Sequence, residues 1–239
     1  LVSILLKSFK KFPKFNSIKN MFLLEKSIFL RKVQKKKILD KNVKWINNLD
    51  EIKKGPVVFF GNEFFDAIPI KQFKKIRNNY FEKNYILNKN KKIEEIFAKA
   101  SPDSVKIIKS YKSLKNLKFI EFPQFGLHEL NKINKKISKL SGCILMIDYG
   151  YLKPRNQNTL QSVMKHKRNS LLHNLGKADI TAHVNFALLR EFFKKDGLKV
   201  KNVITQKQFL EKMGILERAQ VMSNKMKFRE QSDLYLRLK

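Results

Sequence analysis

The stretch Val57-Val-Phe-Phe-Gly-Asn-Glu-Phe-Phe-Asp-Ala-Ile-Pro69 decides how this chain is read. Its first four residues are apolar, bounded upstream by Gly55-Pro56 and broken downstream by Gly61, which is the pattern of a short strand buried on both faces. Asn62 and Glu63 stand where that strand ends, with Asp66 just beyond. In open α/β sheets, ligands bind outside the carboxyl ends of parallel strands, so polar residues there are placed to meet a substrate. Asn62, Glu63 and Asp66 are therefore the first functional candidates. A second reading stays open, in which Asn62 or Glu63 only caps the first turn of a following helix.

Upstream, Leu1–Phe12 has the apolar spacing of an amphipathic helix, ended by Pro13. Met21–Leu24 reads as a strand with Glu25 at its carboxyl end. A helix follows from about Ser27, with Leu30, Val33 and Ile38 inward, and Val43–Ile46 reads as a third strand leading to Asn47. Alternation of helix and strand predicts right-handed crossovers and a parallel sheet. Past Pro69 a short helical stretch is expected. Tyr80–Leu87, the turn Asn88-Lys89-Asn90 and Ile93–Phe97 then read as an inserted hairpin.

Phe119–Phe122 reads as a short strand, Leu127–Leu140 as a basic amphipathic helix, and Cys143–Ile147 as a buried strand ending in Asp148-Tyr149-Gly150. Asn185 is placed to cap a helix whose Phe186, Leu189, Phe192 and Phe193 face inward. Gln208–Met213 forms a short helix, and Arg218–Leu238 a long one.

The 239 residues are 43% hydrophobic, enough for one sizeable core or a core with a smaller appendage. Lys and Arg total 52 against 20 for Asp and Glu, a net charge of +32. Such a charge attracts polyanions, but the lysines are scattered among asparagines and isoleucines, which speaks for compositional drift over a dedicated nucleic-acid face. The single cysteine, Cys143, excludes a disulfide framework within the chain, and His128, His166 and His173 lack metal-site spacing. No apolar run approaches the roughly 20 residues that span a bilayer.

Several phrases together resemble the MidA-like family of S-adenosylmethionine-dependent methyltransferases, which includes a mitochondrial complex I assembly factor that methylates an arginine. They are Leu24-Glu25-Lys26-Ser27 with Leu30-Arg31, Asn62–Pro69 with Gln72-Phe73, Ile147–Tyr151, Thr159-Leu160-Gln161 with Lys165-His166-Lys167, Ala178–Phe186, and Thr205-Gln206 with Phe209-Leu210. They occur in family order along nearly the whole chain.

The resemblance implies an α/β fold: a Rossmann-like class I methyltransferase sheet, incomplete here, with an inserted hairpin and a helical cap. It divides the chain into a core over 1–150, with the insertion at about 78–100, and a cap with helical region over 151–239. The family's Gly-rich cofactor loop is expected before Leu1 and its last strand after Lys239, so the chain resembles a fragment. S-adenosyl-L-methionine is the implied cofactor. Glu25 matches the family's ribose-binding acid, Asn47 a position near the adenine that is usually Asp, and Asn62 the cofactor's rim.

Glu63 and Asp66 are the implied catalytic pair, since carboxylates match the planar fork of a guanidinium. Asp148, Tyr149, Asp179 and His183 are the implied substrate-binding residues, and no metal is implied. The implied partner is a protein substrate such as a respiratory-chain subunit, and the implied place is the bacterial cytoplasm or, in a eukaryote, the mitochondrial matrix. Two rivals remain: a noncatalytic assembly module, and an amine methyltransferase of RNA or DNA.

Overall fold

The computed structural model describes residues 2–15, 18, 20–236 and 238. After helix α1 (Val2–Lys10), strands β1 (Met21–Leu24) and β2 (Val43–Ile46) pair in parallel, Met21 opposite Val43, joined through helix α2 (Ile28–Lys37). Ser27 starts α2 by accepting the amide of Leu30 at 3.2 Å. The inward face expected for α2 is not realised: no α2 residue is buried, and Leu30 remains 47% exposed. Polar contacts hold the helix instead, because Gln34 donates to Glu25 and accepts from the Trp45 indole, at 2.9 Å each.

The decisive stretch forms β3 (Val57–Asn62), parallel to β8 (Gly142–Ile147) with Asn62 opposite Ile147. Gly142 is required there, since a Cβ would meet the Val57 carbonyl oxygen at 1.9 Å and its φ is +141°. Burial on both faces was the expectation for β3, and the strand alternates instead. Phe59 packs against the core while Val58 is 69% exposed. Successive side chains of a strand point to opposite faces, and among the described residues only one face of β3 is covered. The strand at Cys143–Ile147 is likewise only partly buried, with Cys143 exposed. These two parallel pairs are separate two-stranded sheets, so the single parallel sheet expected from the alternation is present only in parts.

The stretch after Pro69 is not helical. It forms β4 (Lys71–Ile76), which turns at Arg77-Asn78 into β5 (Asn79–Leu87), and Arg77 has the positive φ of 52° that so tight a turn demands. With β6 (Ile93–Lys99) and β7 (Phe119–Phe122) they make an antiparallel sheet in the order β6-β5-β4-β7. The hairpin read from the sequence is thus present, its turn held by the Asn88 side chain accepting the amides of Asn90 and Lys92 at 2.9 Å. Lys-Gln-Phe-Lys-Lys-Ile is ambiguous by period, and pairing with β5 and β7 decides it.

Helix α3 (Pro102–Lys109) precedes β7, and helix α4 (Gln124–Leu140) follows it, burying Leu127, Leu130, Ile133 and Ile137. Then come β9 (Gly150–Tyr151), β10 (Gln161–Met164), β11 (Lys167–Asn169), β12 (Asp179–Thr181) and β13 (Val184–Asn185), followed by α5 (Phe186–Lys195) and α6 (Gln206–Lys212). Strand β10 lies between β11 and β12, and β9 runs parallel to β13. Asn185 caps α5 as expected, its Oδ1 accepting the Leu188 amide at 3.1 Å. The long helix expected at Arg218–Leu238 is two, α7 (Ile215–Ser223) and α8 (Phe228–Leu236). The Gln231 amide seals the break by donating to the carbonyls of Ser223 and Met226. Among the described residues no helix is long and apolar enough to cross a membrane.

One core gathers Phe73, Phe122, Ile120, Leu114, Leu130 and Leu188. Glu191 on α5 ties its rim together by accepting the amides of Lys112 and Ser113 at 2.7 and 2.9 Å. Burial alone would raise its pKa, but those amides and the Lys195 ammonium outweigh it, so the carboxyl lies below its usual value. A lowered folded pKa stabilises above the unfolded value and the gain fades as pH falls through the folded one. Glu191→Gln is expected to cost about 1 kcal/mol at pH 7 in urea denaturation, with the difference vanishing in acid below the usual carboxylate range.

Candidate functional site

The turn after β3 is organised by one carboxylate. Asp148, just beyond β8, accepts the amides of Phe64, Phe65 and Asp66 on Oδ2 at 3.2, 2.8 and 3.3 Å, and its Oδ1 accepts the Tyr149 amide at 2.9 Å. No helix starts at Asn62 or Glu63, so the capping role considered for them does not arise. Glu63 takes a positive φ of 46° and donates its amide to the Ile147 carbonyl at 2.9 Å. The ends of β3 and β8 therefore lie side by side and bring Glu63, Asp66, Asp148 and Tyr149 together.

Asp66 is only 5% exposed, and its Oδ1 is buried without a hydrogen-bond partner among the described residues. Burial, and then the charges of Asp148 and Glu63, raise its pKa above the usual carboxylate value. Tyr149, about half exposed, is raised as well by burial and by Asp66 and Glu63. Asn62 and Glu63 are exposed.

Three consecutive amides of the 182–184 backbone hold this arrangement, each bonding a different element. Ala182 donates to the Asp66 carbonyl at 2.8 Å, His183 to Thr159 Oγ1 at 2.9 Å, and Val184 to the Tyr149 carbonyl at 2.9 Å. His183 also lines a polar cavity of about 310 Å³ with Asn158, Thr159, Arg168 and Asn169. Asp179 is exposed on β12 and lines neither this cavity nor the larger one of about 620 Å³. The larger cavity lies between β8 and the chain at 198–206, with Asp148, Phe186 and Phe209 in its wall.

Glu25 and Asn47 form a second group at the ends of β1 and β2. Glu25 accepts the Ser27 amide at 2.8 Å on Oε1 and the Gln34 amide group at 2.9 Å on Oε2. An ionised carboxylate offers about four lone-pair sites, so two remain open after these bonds. Asn47 fits its expected role less well: its Oδ1 accepts from Arg31 Nη1 at 2.6 Å, and its amide donates to Glu51 Oε1 at 2.7 Å. Among the described residues no hydrogen bond or ion pair links this group to Asp66, and neither cavity includes Glu25, Asn62 or Glu63.

One polar residue escaped the sequence reading. Glu121 on β7 is buried at 7% exposure and accepts from Gln72, Thr159 and Leu160. An acid within the apolar run Phe119-Ile-Glu-Phe122 was the signal for it, because such a group needs internal donors.

Residues 1–204 match the family model described as "Putative S-adenosyl-L-methionine-dependent methyltransferase". The chain belongs to that family. It is 30% identical over 196 residues to the protein arginine methyltransferase NDUFAF7 homolog, mitochondrial, of Caenorhabditis elegans, covering 80% of this chain and 45% of that one. It is 26% identical over 178 residues to the Danio rerio protein arginine methyltransferase NDUFAF7, mitochondrial, covering 74% and 42%. The chain thus spans less than half the length of these curated relatives.

Among solved structures, a "likely methyl transferase" from Burkholderia thailandensis bound to S-adenosyl-homocysteine superposes with a TM-score of 0.72 at 20% identity, over 90% of this chain and 59% of that one. A native crystal structure of an uncharacterized protein from the same organism gives 0.71 at 19%, over 90% and 61%. Both solved structures share this chain's α/β fold.

Proposed function

We propose that this protein transfers a methyl group from S-adenosyl-L-methionine to an arginine guanidine on a protein partner. The observation that carries the reading is the buried Asp66 carboxyl, its Oδ1 without a hydrogen-bond partner among the described residues, beside Glu63, Asp148 and Tyr149 at the carboxyl ends of a parallel pair. A cationic, planar group with paired donors is what such a cluster would take in. Supporting it are the family and the names of the curated relatives, which are mitochondrial protein arginine methyltransferases. A respiratory-chain subunit is the partner we propose from the family resemblance, and the mitochondrial matrix the compartment for a eukaryotic source.

In this reading Glu25 holds the ribose of the cofactor through its remaining lone pairs, and Asn62 lies at the cofactor's rim. When bound, the cofactor supplies an electrophilic methyl on sulfur. Glu63, exposed at the rim, orients the guanidinium. Asp66, whose pKa its surroundings raise, holds the reacting nitrogen and, as the carboxylate, accepts its proton. Asp148 keeps the 64–66 turn in place, while Tyr149 and His183 border the acceptor. Catalysis is then mostly positioning plus removal of one proton.

A second reading, methylation of an amine on a nucleic-acid base, has one observation in its favour. Phe64, two residues from Asn62, is 51% exposed, its ring edge-to-face with that of the buried Phe65. Labelled methyl on a base instead of a guanidine nitrogen would select it. The cofactor assignment is checked by calorimetry with S-adenosyl-homocysteine. Glu25→Gln is expected to weaken binding about tenfold or more, or 1.4 kcal/mol, through loss of charge at the diol. Equal affinity removes Glu25 from the site.

A further inference from the structure

The Glu121 carboxylate receives four hydrogen bonds. Oε1 takes Gln72 Nε2 at 2.9 Å and the amides of Thr159 and Leu160 at 3.0 and 3.1 Å, and Oε2 takes the Thr159 hydroxyl. Gln72, its cross-strand partner on β4, reaches on to Asn158 Oδ1 at 2.8 Å. Among the described residues no Lys or Arg forms an ion pair with it. Nearby, the Tyr151 hydroxyl is pushed up to about 12 by burial and by the Glu121 charge. A buried charge without a counterion is tolerated only where internal donors replace water, and four do so here.

The consequence lies in the direction of the Thr159 hydroxyl. An ionised carboxylate only accepts, so Thr159 must give its proton to Glu121 and keep a lone pair for the His183 amide. His183 sits between Ala182 and Val184, whose amides hold the carbonyls of Asp66 and Tyr149. Polar contacts thus run from β7, an edge strand of the antiparallel sheet, to the backbone of the acidic cluster.

We propose that Glu121 is a positioning residue: acting through Thr159, it fixes the 182–184 backbone and so the place of the Asp66 carboxyl. The proposal rests on Asp66 being the acceptor-side acid. Its test reads the placement of Asp66 without needing a methyl acceptor.

The test compares the full chain with Thr159→Val, Thr159→Ser and Glu121→Gln, by amide hydrogen exchange and by carbon NMR titration of Asp66. Thr159→Val should speed exchange at His183 about tenfold or more and move the Asp66 midpoint by about half a pH unit or more. Thr159→Ser, which keeps the hydroxyl, should restore both. A lower melting temperature with an unmoved Asp66 midpoint would show that the network only supports the fold, and would overturn the proposal. Should Thr159→Val fail to fold, Glu121→Gln preserves the shape and the Oε1 bonds while presenting a donor to the hydroxyl. An unchanged Asp66 midpoint there overturns the proposal equally. A shifted midpoint combined with full methyl transfer by an Asp66→Asn protein would leave the positioning intact and refute the catalytic reading alone.

Discussion

Replacing Asp66 with Asn is expected to cut the proposed methyl transfer sharply and to stabilise the fold. The positioned base is worth roughly 10²–10⁴-fold in rate, so kcat should fall by that factor while cofactor binding, which does not use Asp66, is retained. The stability effect has the opposite sign, for a reason visible in the site. Burial and the charges of Asp148 and Glu63 raise the Asp66 pKa, so the fold favours its protonated form. That preference stabilises fully below the unfolded value of 3.8 and is lost as pH rises through the higher folded value. At neutral pH the ionised group is a cost that Asn does not carry. Asp66→Asn should therefore melt higher than the wild type at pH 7, with the gap closing in acid. Transfer by the wild type should climb with pH through the raised Asp66 pKa, a limb the variant lacks.

The second large effect falls on Asp148. Its carboxylate fills four backbone amides, three of them in the turn that carries Asp66. Asp148→Ala leaves those amides without their acceptor, and an unsatisfied buried donor costs about 1–3 kcal/mol. Part of the turn is exposed and water replaces some of the loss, so urea denaturation should show about 2–4 kcal/mol in all. Transfer should fall with it, because the turn no longer holds Asp66. Asp148→Asn keeps one carbonyl oxygen for the three amides and loses only the Tyr149 bond, so it should cost about 1 kcal/mol. Equal losses for the two variants would mean that charge, not acceptor geometry, is what the turn needs.

Much of the scaffold was readable from residue pattern because its signals are local. Short apolar runs closed by polar residues marked β1, β2, β3, β7 and β8, and Ser27, Asn185 and Thr205 cap the helices that follow them. What pattern could not carry was pairing. Lys71–Ile76 has no clean period, and it became a strand because β5 and β7 flank it. The Arg218–Leu238 stretch kept its helical spacing across a break that the Gln231 side chain closes, a contact invisible at the level of periodicity.

The site divides in the same way. Family phrases located Glu63, Asp66, Asp148 and Tyr149, and the parallel register of β3 and β8 brings them together. Side-chain partners were out of reach: the three turn amides on Asp148, the Arg31 contact that occupies Asn47, and the buried acid Glu121 each depend on residues distant in the chain. Glu25 lies in a group of its own, which is why its assignment rests on a binding measurement.

The most direct measurement follows a labelled methyl from S-adenosyl-L-methionine into a protein mixture, comparing the wild type with Asp66→Asn and mapping the label by mass spectrometry. Label on arginine guanidine nitrogens with the wild type, reduced at least about a hundredfold by Asp66→Asn, is the predicted result. Undiminished labelling by Asp66→Asn, label on some other acceptor, or no transfer by the wild type would contradict the assignment of Asp66 as the acid that meets the acceptor.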